Sequence, residues 1–243
     1  GKEIASSSIK NIYKTSHGGQ ATQSLDTTWK NCIKIISELK NKINNFKDRV
    51  AIISVTGQGD GTWLIDKKGK PVCDAWLWLD SRSSDIAKKL SKLNSEKLRF
   101  DLTGTGIFAG QQSSQISYMD KNNPEILDQS STAFHCKDWI YFKLTNVRAT
   151  DPSEACFTFG NFRTRQYDEN VIDGLGLTKR KNLLPDIIDG SKVTHPLSDN
   201  VATLIGLNSG TPIALGYIDA VCTFLGSGGL DINKDVGNSI LGT

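Results

Sequence analysis

The stretch that most constrains the fold is a short apolar run, Thr211–Leu215, which leads through a glycine into a helical pattern. The run lies between turn residues, and this is typical of a buried strand. After Gly216, apolar residues recur at helical rather than alternating spacing, at Val221, Cys222, Phe224 and Leu225. The sequence therefore predicts a strand, a tight turn and a helix, with Asp219 at the turn.

Asp219 is the candidate catalytic residue of this segment. Free backbone N–H groups and the helix dipole stabilise a carboxylate near a helix N-terminus, by about 0.3–1 kcal/mol at an exposed site. An ionised carboxylate on a rigid turn can accept a proton from a bound hydroxyl. The alternative is that Asp219 only caps the helix, because Asp is a preferred capping residue.

A second set of polar residues lies far upstream. Gln58 and Asp60 follow the β-branched run that ends at Val55, and Asp80 and Arg82 follow the next predicted strand. Polar groups on rigid turns can grip the hydroxyls of a small ligand and reject molecules that lack them. The alternative for all four is a solvated turn with a surface ion pair, which contributes only ~0–1 kcal/mol.

Composition excludes several classes of protein. A chain of 243 residues with 37% hydrophobic and 23% charged residues can form one large or two small domains. The net charge is +3 and the Lys and Arg residues are scattered, so we expect no nucleic-acid partner. No apolar run reaches the ~18–20 residues of a membrane helix. We therefore expect a soluble cytoplasmic protein without a membrane partner. Its five cysteines are expected to be reduced; they are Cys32, Cys73, Cys136, Cys156 and Cys222.

Short strands alternate with helices along the chain, which predicts an α/β fold with a mixed sheet. An amphipathic helix of about 18 residues is predicted to begin at the N-cap Asp26. His17 and His195 are expected to be solvated loop residues, and no histidine has the partners of a catalytic triad. The other predicted elements are an edge strand at 4–9, a strand at 50–55, a hairpin turn at 67–70, a surface helix at 84–93, a strand entering a helix with core aromatics at 134–145, a helix start at 151–152 capped by Asp151, and helices at 167–175 and 198–205.

Four motifs in order along the chain resemble the FGGY family of carbohydrate kinases. They are Thr-Gly-Gln-x-Asp-Gly at 56–61, Trp-Leu-Asp-x-Arg at 78–82, Thr-Pro-strand-Gly-x-x-Asp-Ala at 211–220 and Asn-Ser-x-x-Gly-Thr at 238–243. The resemblance implies a ribonuclease H-like N-terminal lobe, in which a mixed sheet is flanked by helices. It also implies that residues 1–243 are the sugar-binding domain, without the family's first strands and without its C-terminal nucleotide-binding lobe.

The resemblance assigns roles to particular residues. It implies that Asp219 is the general base for a substrate hydroxyl and that Trp78 offers an apolar wall to the carbons of the sugar. The implied substrate-binding residues are Gln58, Asp60, Trp78, Asp80, Arg82, Gln111 and Ala220. Gly242 and Thr243 would contact ATP phosphate, with Mg²⁺ as a further cofactor and no metal ligand assigned in this chain. The family's usual lysine is missing from the stretch Ser114–Ser117.

The substrate implied by the resemblance is a small sugar or sugar alcohol. The run Gly59–Gly61 looks most like that of erythritol and other polyol kinases, so we expect a tetritol, a pentitol or a ketopentose. Two alternatives stay open: a sugar-binding lobe that acts as a sensor or scaffold, and an actin- or chaperone-like ATPase without a pair of carboxylates facing its cleft. A homodimer stays open as the assembly.

Overall fold

The computed structural model describes residues 1–231 together with Asn233, Gly237 and Ser239. In chain order the strands are β1 (Lys14–Ser16), β2 (Gln20–Gln23), β3 (Ile53–Val55), β4 (Trp63–Ile65), β5 (Ala75–Trp76), β6 (Thr132–Phe134), β7 (Ala149–Thr150), β8 (Gly160–Asn161), β9 (Gln166–Tyr167), β10 (Asp186–Ile187), β11 (His195–Pro196) and β12 (Pro212–Leu215).

Helices alternate with these strands. They are α1 (Leu25–Lys42), α2 (Phe46–Arg49), α3 (Ser84–Leu90), α4 (Glu96–Thr103), α5 (Gln112–Asn122), α6 (Pro124–Gln129), α7 (Cys136–Thr145), α8 (Pro152–Thr158), α9 (Glu169–Gly174), a 3-10 helix (Thr178–Leu183), α10 (Asp199–Ile205) and α11 (Asp219–Gly226). None of the helices in the described part of the chain combines the length and the apolar character needed to cross a membrane.

The sheet that organises the site is mixed. Strand β12 pairs with β3 in parallel, with Ile213 opposite Ile53, and with β11 in antiparallel orientation, with Ile213 opposite His195. The remaining strands form small sheets in the orders β1-β2-β5, β10-β7, β4-β6 and β8-β9. The sequence-based prediction of an α/β fold with a mixed sheet is confirmed.

Because β3 and β12 are parallel, their carboxyl ends lie at the same edge of the sheet. The turns that follow are hydrogen-bonded to each other: the Asp219 amide donates to the carbonyl of Gly57 at 2.9 Å, and the Thr56 hydroxyl donates to the carbonyl of Tyr217 at 2.6 Å. We name these two segments the 57–61 turn and the 216–219 turn. Residues about 160 positions apart in sequence are thereby held side by side.

Two apolar clusters surround this frame. The first packs α1, α7 and α10 around the mixed sheet and contains Trp63, Phe134, Trp139 and Tyr141, all fully buried. The second lies around α5, α6 and α9. Of the aromatic residues predicted to be core, Phe134, Trp139 and Tyr141 are fully buried, and Phe142 is partly buried against the same cluster.

The long amphipathic helix has the predicted 18 residues, but it begins earlier than expected. Its N-cap is Ser24, whose hydroxyl accepts a hydrogen bond from the Thr27 amide, and Asp26 lies in the first turn. Asp151 caps α8 as predicted, by accepting a hydrogen bond from the Ser153 amide, and proline follows it. The residues 67–70 form the predicted turn, with the Asp66 amide donating to the Lys70 carbonyl at 2.8 Å.

Several sequence-based predictions were wrong in detail. Residues 4–9 form no strand; instead the Ser6 carbonyl accepts from the Lys42 ammonium and the Ser7 hydroxyl donates to Glu38, both on α1. The predicted strand at 50–55 is ordered as a strand only over Ile53–Val55, and the helix predicted from Tyr167 begins at Glu169 after a short strand. His195 is not a solvated loop residue: it lies in β11, and its Nδ1 is 2.6 Å from the Tyr141 hydroxyl.

Glycine is required at position 110, because the backbone there lies against the backbone of Trp78. A Cβ added at position 110 would lie 1.6 Å from the Trp78 carbonyl oxygen, whereas a Cβ at Gly106 would meet nothing within 4 Å. We predict that Gly110→Ala lowers the free energy of unfolding by about 1–3 kcal/mol, because backbone must move to make room.

Gly106→Ala is the matched control and should leave the melting temperature within a degree or so of the parent, since the added methyl meets no neighbour. Thermal unfolding followed by circular dichroism measures both variants. Equal melting temperatures for the two would contradict the close approach at Gly110.

Candidate active site

A cavity of about 420 Å³ opens beside the 57–61 and 216–219 turns. This volume lies within the range of small-molecule sites. Its lining residues are Gln58, Gly59, Asp60, Trp78, Thr105, Phe108, Gln111, Phe157, Ile218, Asp219 and Ala220. The structure therefore brings most of the sequence-predicted site residues to one cavity: the general-base candidate Asp219 and five of the substrate-binding candidates, Gln58, Asp60, Trp78, Gln111 and Ala220.

Asp219 is the first residue of α11, and the N-cap position is held by Ile218. Its carboxylate accepts a hydrogen bond from the amide of Ala220 at 2.7 Å. The backbone amides of Ile218 and Asp219 are themselves anchored, to the Ser153 hydroxyl at 3.1 Å and to the Gly57 carbonyl at 2.9 Å. A carboxylate at the cavity wall is thus held on a rigid backbone, which favours proton transfer with a bound group.

Asp60 faces the cavity from the other turn. Its backbone is left-handed, with φ at 56°, and its amide donates to the Glu154 carboxylate at 3.3 Å. Burial raises the pKa of Asp60 to about 6, although nearby His135 acts in the opposite direction. Its Oδ1 atom is buried without a hydrogen-bond partner among the described residues. Asp60 therefore lines the cavity with a carboxyl group that has one oxygen without a hydrogen bond to the described residues.

The rest of the cavity wall combines apolar faces with a few amides. Trp78 is 49% exposed and Phe108 is 44% exposed, so both rings present surface to solvent at the cavity. The Gln111 amide nitrogen donates to the Phe157 carbonyl at 3.2 Å, which fixes its orientation. Mostly apolar walls with a few placed polar groups are typical of small-molecule sites.

Two predicted binding residues do not line this cavity. The Asp80 carboxylate is buried, accepts from the Ala21 amide at 2.8 Å and forms a two-pronged ion pair with Arg82 at 2.7–3.0 Å. The Arg82 guanidinium lies 3.2 Å above the ring of Trp76. These contacts connect Arg82 and Asp80 to the protein interior rather than to the cavity. The alternative of a solvated surface pair is wrong for the same reason.

Gly242 and Thr243, predicted to contact phosphate, lie outside the described residues. Across the described residues, no group of three or more His, Cys, Asp or Glu side chains is arranged to hold a metal ion. The five cysteines are free thiols.

Comparison with protein families matches residues 1–226 to the family described as "FGGY family of carbohydrate kinases, N-terminal domain". This chain belongs to the FGGY family of carbohydrate kinases. The alternative of an actin- or chaperone-like ATPase predicted no pair of carboxylates facing the cleft, whereas Asp60 and Asp219 line one cavity.

Relatives in the FGGY family agree with this membership. The chain is 50% identical to the erythritol kinase of Brucella abortus over 243 residues, which is all of this chain and 47% of that protein. It is 25% identical to the L-xylulose/3-keto-L-gulonate kinase of Escherichia coli over 226 residues, 93% of this chain and 45% of that protein. The chain therefore spans about half the length of the curated relatives it matches.

Solved structures show the same fold. A ligand-bound xylulose kinase from Lactobacillus acidophilus superposes with a TM-score of 0.83 at 22% identity, covering 93% of this chain and 45% of that one. The xylulose kinase from Rhodospirillum rubrum gives a TM-score of 0.82 at 20% identity, covering 90% of this chain and 45% of that one. The expected fold class of the FGGY N-terminal lobe is confirmed.

Sequence reasoning missed a cluster of buried polar side chains that lies behind the cavity. It consists of His135, Lys137, Asp138, Asp151 and Glu154, each at most 3% exposed. The Lys137 ammonium bridges the carboxylates of Asp138 and Asp151 at 2.6 Å each. His135 and Asp138 form a capping box at the start of α7. The three-residue spacing of a capping box is the one signal that the sequence offered.

The charges of this cluster compensate one another. Burial alone would raise the pKa of Asp138, but Lys137 and a hydrogen bond from His135 outweigh it and lower that pKa to about 2. Burial alone would lower the pKa of Lys137, but the carboxylates of Asp138 and Asp151 outweigh it and raise that pKa. Lys137 and Asp138 are therefore charged at neutral pH, and the contacts of the Lys137 ammonium with Asp138 and Asp151 tie the start of α7 to the start of α8.

We predict that Lys137→Met destabilises the protein by about 3–5 kcal/mol, because it leaves two carboxylates buried without their counter-ion. Lys121→Met is the control: Lys121 is exposed near the end of α5, so its loss should change stability by less than about 0.5 kcal/mol. Urea unfolding measures both. A loss below about 1 kcal/mol in Lys137→Met would contradict a structural role for the ion group.

Proposed function

We propose that this chain is the sugar-binding N-terminal domain, residues 1–243, of an ATP-dependent kinase that phosphorylates a small sugar alcohol. In this proposal the nucleotide-binding lobe belongs to the rest of a longer protein. The single observation that supports it most is that Asp60 and Asp219, carried by two turns far apart in sequence, line one cavity of about 420 Å³.

Asp219 is the general base of the proposed reaction. A hydroxyl that attacks a phosphoryl group must be aimed in line and must lose its proton as the new bond forms. Asp219 lies at the cavity wall on an anchored backbone, where its carboxylate can accept that proton. ATP, when bound, supplies the phosphoryl group that the hydroxyl attacks.

The other lining residues hold the substrate. Asp60, Gln58 and Gln111 line the cavity and bind the remaining hydroxyls, which orients the substrate and rejects molecules without them. The exposed face of Trp78 packs against the carbon chain. Position 59 is glycine, so one wall of the cavity is backbone alone.

Erythritol is the first candidate substrate within the broader set of tetritols, pentitols and ketopentoses. Support comes from the 50% identity to an erythritol kinase over the whole chain, whereas the identity to the L-xylulose/3-keto-L-gulonate kinase is 25%. Mg²⁺ is proposed as the companion of ATP, and Gly242 and Thr243 as phosphate contacts. A kinase that draws on ATP and keeps five free thiols suits the cytoplasm.

Asp219→Asn in the full-length protein should lower kcat for erythritol phosphorylation by about 10²–10⁴-fold, because a general base contributes that much. The Kd for erythritol should stay within a few-fold, since an amide oxygen still accepts hydrogen bonds. Coupled ADP-release assays and calorimetry measure the two quantities.

Asp101→Asn is the control, since Asp101 is exposed and does not line the cavity; both quantities should stay at the parent value. Unchanged kcat in Asp219→Asn would contradict the proposed base. A full-length protein that binds polyols but phosphorylates none of them would favour the sensor or scaffold role instead.

A further inference from the structure

Glu154 lies directly behind the cavity wall. It belongs to α8, is 1% exposed, and accepts a hydrogen bond from the Asp60 amide through Oε2 at 3.3 Å. Its Oε1 lies 3.6 Å from the point where a Cβ on Gly59 would sit. Since Gly59 and Asp60 both line the cavity, the Glu154 carboxyl group supports the part of the wall that carries no side chain.

Three titratable groups around this turn have polar atoms without partners. Asp60 Oδ1, Glu154 Oε1 and His135 Nε2 are buried, and none has a hydrogen-bond partner among the described residues. The His135 Nε2 atom lies 3.6 Å from Glu154 Oε2, which is longer than a hydrogen bond. Buried polar atoms are normally satisfied, so a cluster of exceptions beside a cavity indicates a site whose protons or ligand complete it.

Several charged groups face Glu154 from the elements packed against it. Burial raises the pKa of Glu154 to about 8, although His135 and Lys137 at the start of α7 act in the opposite direction. Asp60 and Asp138 raise it further. Burial by itself would lower the pKa of His135, but Glu154 in its ionised form and Asp138 outweigh it and raise that pKa.

Asp60 and Glu154 thus differ in charge at neutral pH. The pKa of Asp60 is about 6, so Asp60 is mostly ionised at pH 7, while Glu154 is mostly protonated. Neighbouring carboxyl groups with separated pKa values can take different roles in one site.

We infer that Glu154 is a positioning residue for the polyol: as a protonated acid it holds the 57–61 turn, while ionised Asp60 accepts hydrogen bonds from the substrate hydroxyls. This inference rests on the proposed function. It makes the affinity for the polyol depend on protons, with the strongest binding when Asp60 has lost its proton and Glu154 has kept its own.

We call the change of affinity with pH below neutrality the acid limb and the change above neutrality the alkaline limb. The direction of each limb follows from the linkage between proton binding and polyol binding. Hydroxyls donate to the charged form of Asp60, so binding lowers its pKa and affinity rises with pH through about 6. The bound polyol displaces water and disfavours a second charge beside it, so binding raises the pKa of Glu154 and affinity falls as pH rises through about 8. Each limb can approach a tenfold change per pH unit when one proton is fully coupled.

The test is calorimetric titration of the full-length protein with erythritol between pH 5.5 and 9.5. We expect Kd to be lowest near neutral pH and to rise at least fivefold toward pH 9.5. Glu154→Gln should keep the Kd at pH 7 within about threefold, because glutamine still accepts from the Asp60 amide, and should lose the alkaline limb because it cannot ionise. Glu169→Gln is the control, since Glu169 is an exposed acid paired with Lys181, and its profile should match the parent.

A second measurement needs no variant. Titrations in two buffers of different ionisation enthalpy give the protons taken up on binding, and we expect uptake above about pH 7.5 and release below about pH 6.5. No proton exchange, or an alkaline limb that persists in Glu154→Gln, overturns the inference while leaving erythritol phosphorylation intact. Absence of erythritol binding at every pH overturns the inference together with its substrate assignment, and absence of binding to every tetritol, pentitol and ketopentose overturns the proposed function as well.

Discussion

The parallel pairing of β12 with β3 is the constraint on which the rest of the structure depends. It places the ends of both strands at one edge, and backbone hydrogen bonds from Gly216 to Val55 and from Asp219 to Gly57 fix the two turns against each other. The backbone alone therefore holds the side chains of the two turns close to each other. Catalytic geometry that rests on strand ends is more precise than geometry built on free loops.

Helix α8 reinforces this arrangement from behind. Ser153 in its first turn accepts a hydrogen bond from the Ile218 amide, and Glu154 accepts one from the Asp60 amide, so a single helix start holds both turns. The same helix start is tied to α7 by the ion pair between Lys137 and Asp151. The cost of burying these charges is offset only when every partner is present. The start of α8 therefore connects the two turns that line the cavity to the charge cluster behind it.

Local signals predicted much of this molecule, and contacts distant in sequence account for what they missed. The strand, turn and helix around Asp219, the long amphipathic helix and the capped start at Asp151 all depend on residues close together in the chain. The contact between Glu154 and Asp60 spans 94 positions and that between His195 and Tyr141 spans 54, so neither leaves a trace in local pattern. Asp80 and Arg82 show the converse, because a polar turn motif cannot reveal that it faces inward.

The central claim is that Asp60 and Asp219 contact one and the same small polyol in the cavity between their turns, Asp60 as a binding group and Asp219 as the base. A crystal structure of the full-length protein with erythritol tests this most directly. The account predicts electron density for erythritol in the cavity, with one hydroxyl within hydrogen-bond distance of the Asp219 carboxylate and another within that distance of the Asp60 carboxylate. Erythritol bound elsewhere while this cavity holds only water would contradict it.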